Sequence, residues 1–174
     1  MIKVACGSNH AGVLLSNGQV LMFGSNRQGQ LGLQTQPRTF LAKPTPLSLS
    51  IRVRDIALGD EHSLLLSQED LRVYSFGQNA EGQLGLGKNS KLLSTSSPSL
   101  IAELTVHKIL RVAACGNTSA AYSDRGHLFV WGWGIWGTFF DANRVRGFGT
   151  GGESDIQIAD FGVGKNSFIW VKDT

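Results

Sequence analysis

The sequence predicts an all-β protein made of about three and a half copies of one antiparallel sheet unit. Three observations carry that expectation. The phrase FGSNRQGQLGL at residues 23–33 returns as FGQNAEGQLGL at residues 76–86, 53 residues later. Around these phrases the apolar residues come in short runs of strand length bounded by turn residues, and no stretch holds a helical period. Glycine accounts for 22 of 174 residues. That is near twice its ordinary share of roughly 7%, which suits tight turns and close backbone packing rather than long helices.

Self-alignment gives VACGSNHAGVLLSNGQVLMFG from Val4 to Gly24, IALGDEHSLLLSQEDLRVYSFG from Ile56 to Gly77 and VAACGNTSAAYSDRGHLFVWG from Val112 to Gly132. An incomplete fourth copy, IADFGVGKNSFIWVKD, runs from Ile158 to Asp173. Gly7, Gly59, Gly116 and Gly164 recur at intervals of 52, 57 and 48, so the period is near fifty. The repeats fall at about 1–51, 52–106 and 107–154, with a partial copy at 155–174, all within one domain spanning 1–174.

Each unit opens with a strand rich in Ala and β-branched residues. A short turn follows the first glycine, and then comes an apolar run, AGVLLS, HSLLLS or SAAYS. A polar turn at Asn17-Gly18, Glu69-Asp70 or Arg125-Gly126 leads into a third run that ends in an aromatic residue and glycine. Asn-Gly between two apolar runs predicts a type I′ hairpin, because that turn needs positive φ at both central residues. The linkers 34–50 and 88–99, rich in Pro, Ser and Thr, should hold a fourth, outer strand, since an edge position tolerates proline. LIAELTVHKIL at 100–110 is the nearest approach to a helix; its first half reads as a short helical turn and its second half as the start of the next strand.

Composition narrows the function classes. With 41% hydrophobic and 17% charged residues the chain is expected to fold with a sizeable core. The net charge of +3 is scattered, which argues against a nucleic-acid or membrane-surface partner. No apolar run is long enough for a membrane span, and MIKVACGSNHAGVLL lacks the plan of a signal peptide. Cys6 and Cys115 both sit in ACG, so they read as equivalent, well-separated, buried thiols in a reducing compartment, cytoplasmic or nuclear. The NTS sequon at Asn117 then has no role.

Units of about fifty residues carrying GxxH, a polar turn, aromatic-Gly and NxxGQLGLG resemble the repeats of the regulator of chromosome condensation (RCC1) family. The likeness covers almost the whole chain and is sharpest in the first two copies. It implies a β-propeller in which each repeat supplies a four-stranded blade and seven blades usually close the ring. About three and a half blades make an incomplete ring, and its open edges call for cover by a protein partner or by self-association. The third repeat departs from the family pattern. Thr118 or Ser119 stands where His10 and His62 stand, and GQLGLG has become GTFFDANRVRGFG.

The repeated glycines read as structural. Gly24, Gly77 and Gly132, with Gly29, Gly82 and Gly137 five residues on, permit conformations or approaches that a Cβ would block, while Leu31 and Leu84 fill the gap between sheets. GQLGLGKN at 82–89 nears a phosphate loop but has Asn89 where Ser or Thr must hold magnesium, and the repeat already explains its glycines. GFGTGG at 147–152 fits GxGxxG yet precedes a strand where a dinucleotide site needs a helix, so it reads as a loop. His10 and His62 lack the third and fourth ligands of a zinc site and read as structural histidines. Trp131, Trp133 and Trp136 in WGWGIWG suit packing between blades or a contact hot spot. The family's plant ultraviolet-B photoreceptor sets its tryptophans beside arginines in GWRH-type turns. The turns here are GSNH, GDEH and CGNT, which argues against light sensing.

No catalytic triad, carboxylate pair or metal-ligand spacing stands out, so the chain reads as a non-enzyme without cofactor or metal. The expected function is a non-catalytic protein–protein interaction or scaffold module. A fragment of a guanine nucleotide exchange factor, with a small GTPase as partner, is the alternative. The turns between the first two strands should cluster on one face near the axis, which makes Ser8, Asn9, Asp60, Glu61, Asn117 and Lys165 the candidate contact residues and Trp133 and Trp136 the candidate aromatic contacts.

Overall fold

The structure is a computed structural model that describes residues 1–33, 39–134, 137–144, 158–164 and 167–172. Trp136, Lys165 and the glycine loop 147–152 lie outside the described residues.

Three four-stranded antiparallel sheets follow one another, each in simple meander order. Blade 1 comprises β1 (Lys3–Cys6), β2 (His10–Leu14), β3 (Val20–Ser25) and β4 (Phe40–Pro46). Blade 2 comprises β5 (Val53–Leu58), β6 (His62–Ser67), β7 (Val73–Gln78) and β8 (Ser94–Leu100). A single 3₁₀ turn at Ala102–Val106 leads to blade 3, built from β9 (Ile109–Cys115), β10 (Thr118–Ser123), β11 (Leu128–Gly134) and β12 (Gly137–Arg144). Strands β13 (Ile158–Gly164) and β14 (Ser167–Lys172) pair as a fourth, two-stranded sheet. The outer strands carry the linker prolines, Pro44 and Pro46 in β4 and Pro98 in β8, at the sheet edge where a missing N–H is tolerated.

Burial explains why the second strands read as unbroken apolar runs. Every residue of β6 and of β10 is buried, because a middle blade is covered on both faces. Leu65 joins Leu14, Met22, Leu31, Ile56, Leu58 and Phe76 in the core between blades 1 and 2. Leu64 and Leu66, which point the other way, join Ile101, Ile109, Val112, Phe129 and Trp131 between blades 2 and 3. A third cluster, Ala120, Tyr122, Leu128 and Val130, packs towards Val163 of β13.

Two expectations are corrected. The turn at Asn17-Gly18 is not type I′, because Gly18 has φ +83° while Asn17 does not have positive φ. Gly18 N donates to Leu15 O and Leu15 N donates to Gln19 O, which makes a three-residue loop with the glycine as its bulge residue. The loop at Asp124–Gly126 repeats it, whereas blade 2 has one residue more and puts Leu71, φ +55°, in the glycine's place.

The second correction concerns the cysteines. Cys6 pairs with Ala11, but Cys115 pairs with Thr118, and the counterpart of Cys6 in blade 3 is Ala114, opposite Ser119. The first turns are of equal length, Ser8-Asn9 between Gly7 and His10 and Gly116-Asn117 between Cys115 and Thr118, so the ACG triplet of blade 3 lies one register position nearer its turn than that of blade 1. Both thiols are free, Cys6 is exposed and Cys115 half-buried, so they are not buried thiols.

Candidate functional site

The blades are joined by a repeated polar latch. His10 at the start of β2 reaches across to blade 2, its Nε2 lying 3.0 Å from Ser63 Oγ; His62 at the start of β6 lies 2.7 Å from Ser119 Oγ of blade 3. Ser63 donates its only proton to Gln30 O at 2.8 Å, and Ser119 does the same to Gln83 O. Each serine can therefore only accept from its histidine, so both rings donate through Nε2–H and carry a bare Nδ1. Neither Nδ1 has a hydrogen-bond partner among the described residues. Burial pushes His10 down to about 4, against opposing contributions from the His62 backbone and Asp60. Burial, helped by His10, pushes His62 down to about 3. Both rings are neutral at pH 7. Gly7 and Gly59 make room for them: a Cβ on Gly59 would stand 2.1 Å from His62 Cε1. Blade 3 has Thr118 at this place, and its hydroxyl turns to its own sheet, donating to Trp133 O at 2.6 Å.

The GQLGL loops form the second part of each seam. Asn26 Oδ1 accepts from Leu31 N and Asn79 Oδ1 from Leu84 N, fixing the two loops in one shape. Gly32, φ +65°, lies under the Phe76 ring of blade 2, where a Cβ would come within 2.8 Å. Gly85, φ +63°, lies under Trp131 of blade 3 in the same way, and Trp131 Nε1 donates to Gln83 O at 3.0 Å. Each loop thus seats the aromatic residue of the following blade. Leu31 fills the seam as expected, and the phosphate-loop likeness at 82–89 dissolves into this packing role.

On the turn face the structure brings together several of the residues singled out from sequence. Ser8 Oγ donates to Asp60 Oδ1 at 2.6 Å, and Asp60 N donates to Gly116 O at 2.8 Å, so the first turns of blades 1, 2 and 3 are tied in a row. Ser8 and Asn9 are exposed, while Asp60, Glu61 and Asn117 are half-buried. Asn117 Oδ1 accepts from Gln83 Nε2 at 3.4 Å, which ties it to the second loop. Trp133 is 45% exposed, in contrast to the fully buried Trp131 two residues earlier in β11. A cavity of about 270 Å³ opens on this face between blades 1 and 2, lined by Asn9, Ser25, Arg27, Phe40 and Glu61.

A further residue ties the inner strands together and was not singled out by sequence. Asp55 in β5 is 3% exposed. Its Oδ1 takes Lys3 Nζ of blade 1 at 2.6 Å and Ile56 N at 3.0 Å, and its Oδ2 accepts from Val112 N of blade 3 at 3.3 Å. One carboxylate thereby links three blades beside a groove of about 480 Å³ lined by β1, β5, β9 and β13. The available signal was an acid directly before the apolar run Ile56-Ala57-Leu58 in the strand VRDIAL. Among the described residues no three His, Cys, Asp or Glu side chains come together to hold a metal, and no helix is long and apolar enough to cross a membrane.

The leading face of blade 1 is open. Val4 pairs with Val13 and Val13 with Leu21; Cys6 pairs with Ala11 and Ala11 with Phe23. These residues share one face, where Val4 is 51% exposed and the adjoining Ile2 60%. Their counterparts in blade 2, among them Ile56, Leu58, Leu65 and Phe76, are buried against blade 1. Ala11 replaces the latch serine, Ser63 in blade 2.

Comparison with known proteins agrees with this architecture. The family described as "Regulator of chromosome condensation (RCC1) repeat" matches residues 17–66 and 72–122, and a second description of the same repeat matches 1–30 and 53–83. The human X-linked retinitis pigmentosa GTPase regulator is 38% identical over 133 residues, which is 75% of this chain and 12% of that protein. The Arabidopsis thaliana ultraviolet-B receptor UVR8 is 32% identical over 166 residues, 91% of this chain and 37% of that protein. The chain thus spans well under half the length of these relatives. Among solved structures, human WBSCR16 superposes with a TM-score of 0.86 at 23% identity, over 99% of this chain and 45% of that one. Saccharomyces cerevisiae Prp20p superposes at 0.81 with 25% identity, over 99% of this chain and 44% of that one.

Proposed function

Because the chain belongs to the RCC1 repeat family, we propose that it is a non-catalytic protein-interaction module whose open blade faces are covered by further polypeptide in the working assembly. The observation that supports this most directly is the leading face of blade 1. It presents Ile2, Val4, Val13, Leu21 and Phe23 in the register that blade 2 uses to pack on blade 1. Apolar sheet faces of this kind mark interaction sites. The turn row from Ser8 to Asn117 then offers a rigid polar surface for recognition. Light scattering on the 174-residue chain tests the proposal. Association beyond 18.7 kDa that Val4→Asp suppresses is expected; a well-behaved monomer at 18.7 kDa overturns it.

A second reading is favoured by the likeness to the human GTPase regulator and to Prp20p, whose structure is described with its binding to Gsp1p and histones. In that reading the chain is part of a regulatory propeller that stimulates nucleotide release from a small GTPase. A nucleotide-release assay against a panel of small GTPases, with the longest natural form of the protein, is expected to show acceleration for one of them. No rate change removes the reading.

A further inference from the structure

The outer rim of the first seam holds a cleft of about 350 Å³, with Asn26 to Gly29 of the first loop on one side and Ser94 to Ser96 of β8 on the other. Arg27 is the only charged side chain in its lining. It is exposed, and its guanidinium has no ion pair or hydrogen bond among the described residues. Across the cleft Thr95 Oγ1 is engaged with Ser97, donating to its O at 3.1 Å and accepting from its N at 3.2 Å. The hydroxyls of Ser94 and Ser96 have no such partner among the described residues. Ser96 is half-buried under the loop, where a Cβ on Gly29 would stand 2.8 Å from its Cα. Ser94 is exposed and is the first residue of β8. Residues 88–93 before it lie outside any strand or helix, and Lys88, Lys91, Leu92 and Leu93 are exposed. Neither the cation nor the hydroxyl follows from the repeat. Ala80 stands in the place of Arg27 in the second loop. Phe40, opposite Ser25 as Ser94 is opposite Gln78, stands in the place of Ser94 in blade 1.

We infer that Ser94 is a phosphorylation site whose phosphate is clasped by Arg27 across the seam. A serine/threonine kinase that reads a basic residue three positions before its target meets Lys91 there. The exposed segment 88–93 can enter an extended substrate groove without parting the sheet. In the transfer Ser94 Oγ attacks the γ-phosphorus of ATP, the bond to the ADP oxygen breaks and ADP leaves, and the hydroxyl proton passes to the base of the kinase. The product brings nearly two negative charges and three acceptor oxygens to a cleft whose only charged side chain is a guanidinium. The planar fork of arginine suits phosphate oxygens, and such charge-assisted bonds are stronger than neutral ones. The clasp ties the loop that seats Phe76 to the outer strand of the blade that carries Phe76, closing the rim of a seam whose inner side the histidine latch already holds. The inference stands whether or not the open blade faces take up a partner.

Two measurements on the whole 174-residue chain test the two halves of the inference. The folded protein is treated with ATP and a panel of serine/threonine kinases selective for basic residues, and the modified position is read by peptide mass spectrometry. Phosphate is expected on Ser94, lost in Ser94→Ala and entering at least about five-fold more slowly in Lys91→Glu. No transfer by any kinase of the panel, or transfer only to other hydroxyls, overturns the site. The clasp is read on protein carrying genetically encoded phosphoserine at position 94, so that kinase yield plays no part. The second ionisation of the phosphate, ordinarily near roughly 6, is followed by ³¹P chemical shift. Its midpoint is expected at least about 0.5 pH unit below that of a phosphoserine peptide of the same local sequence, and Arg27→Ala should return it to the peptide value. Alanine is already the residue at this place in the second loop, so the variant is expected to fold. A midpoint equal to that of the peptide, or a lowered midpoint that Arg27→Ala leaves unmoved, overturns the clasp and with it the inference.

Discussion

Acid should loosen the seams between blades at pH values where the carboxylates are still ionised. His10 and His62 are buried and neutral, held down to about 4 and about 3 from an ordinary 6.5. The unfolded chain therefore binds more protons than the folded one below pH 6.5, and stability falls as pH falls. The histidine contribution is fully present above pH 6.5 and is lost progressively towards the folded values. Working from those values, each ring costs about 2 kcal/mol on going from pH 7.5 to pH 5, and the pair about 4 kcal/mol. That is a large part of the roughly 5–15 kcal/mol that stabilises an ordinary domain. Urea unfolding at pH 7.5, 6.5, 5.75 and 5.0, followed by the fluorescence of buried Trp131, would measure the loss. The double variant His10→Gln/His62→Gln retains a side-chain N–H donor but does not titrate, so its stability should be nearly flat over the same range. A wild-type loss under about 1 kcal/mol between pH 7.5 and pH 5, or an equal loss in the double variant, would refute the assignment of neutral, latch-donating histidines.

Three further outcomes follow from the seams. Gly85→Ala puts a Cβ 2.9 Å from Trp131 Nε1 at φ +63°, and should cost about 2–4 kcal/mol in urea unfolding, since left-handed strain and overpacking add. Ser119→Ala leaves the His62 Nε2–H buried without an acceptor and should cost about 1–3 kcal/mol; a double-mutant cycle with His62→Ala should show coupling near 1 kcal/mol or above. Asp55→Ala removes the acceptor of Lys3 Nζ, Ile56 N and Val112 N together. It should cost about 2–3 kcal/mol in chemical denaturation, with most of the loss surviving in 1 M salt because the acid is buried while Lys3 is partly exposed.

Much of the architecture is local and so was legible in the sequence. Strand length, the turn residues, the prolines of β4 and β8 and the short turn at Ala102–Val106 all depend on neighbours a few residues away. The seams are different. Ser63 in HSLLLS looks like the polar edge of an apolar strand, and nothing nearby says that it meets His10 53 residues earlier. Asp55 has its partners 52 residues before it and 57 after, and only the packed blades bring them to one carboxylate. The matching ACG triplets misled because the third copy carries one more residue ahead of its cysteine, VAAC against VAC, which moves the triplet one register position without changing its letters. The turns that hold Ser8, Asn9, Asp60, Glu61 and Asn117 lie in a row because Ser8 bonds Asp60 and Asp60 N bonds Gly116 O, ties that again join residues more than fifty positions apart.

The seating of each aromatic by the preceding blade's loop gives the molecule a direction. Damage to Gly32 should be felt first at Phe76, and damage to Gly85 at Trp131, so the position of a lesion and the position of its injury lie about one repeat apart. Inherited or engineered changes in such a chain would be misread if each were assigned to the blade that contains it. Cohesion here is handed forward, and a fault surfaces in the recipient.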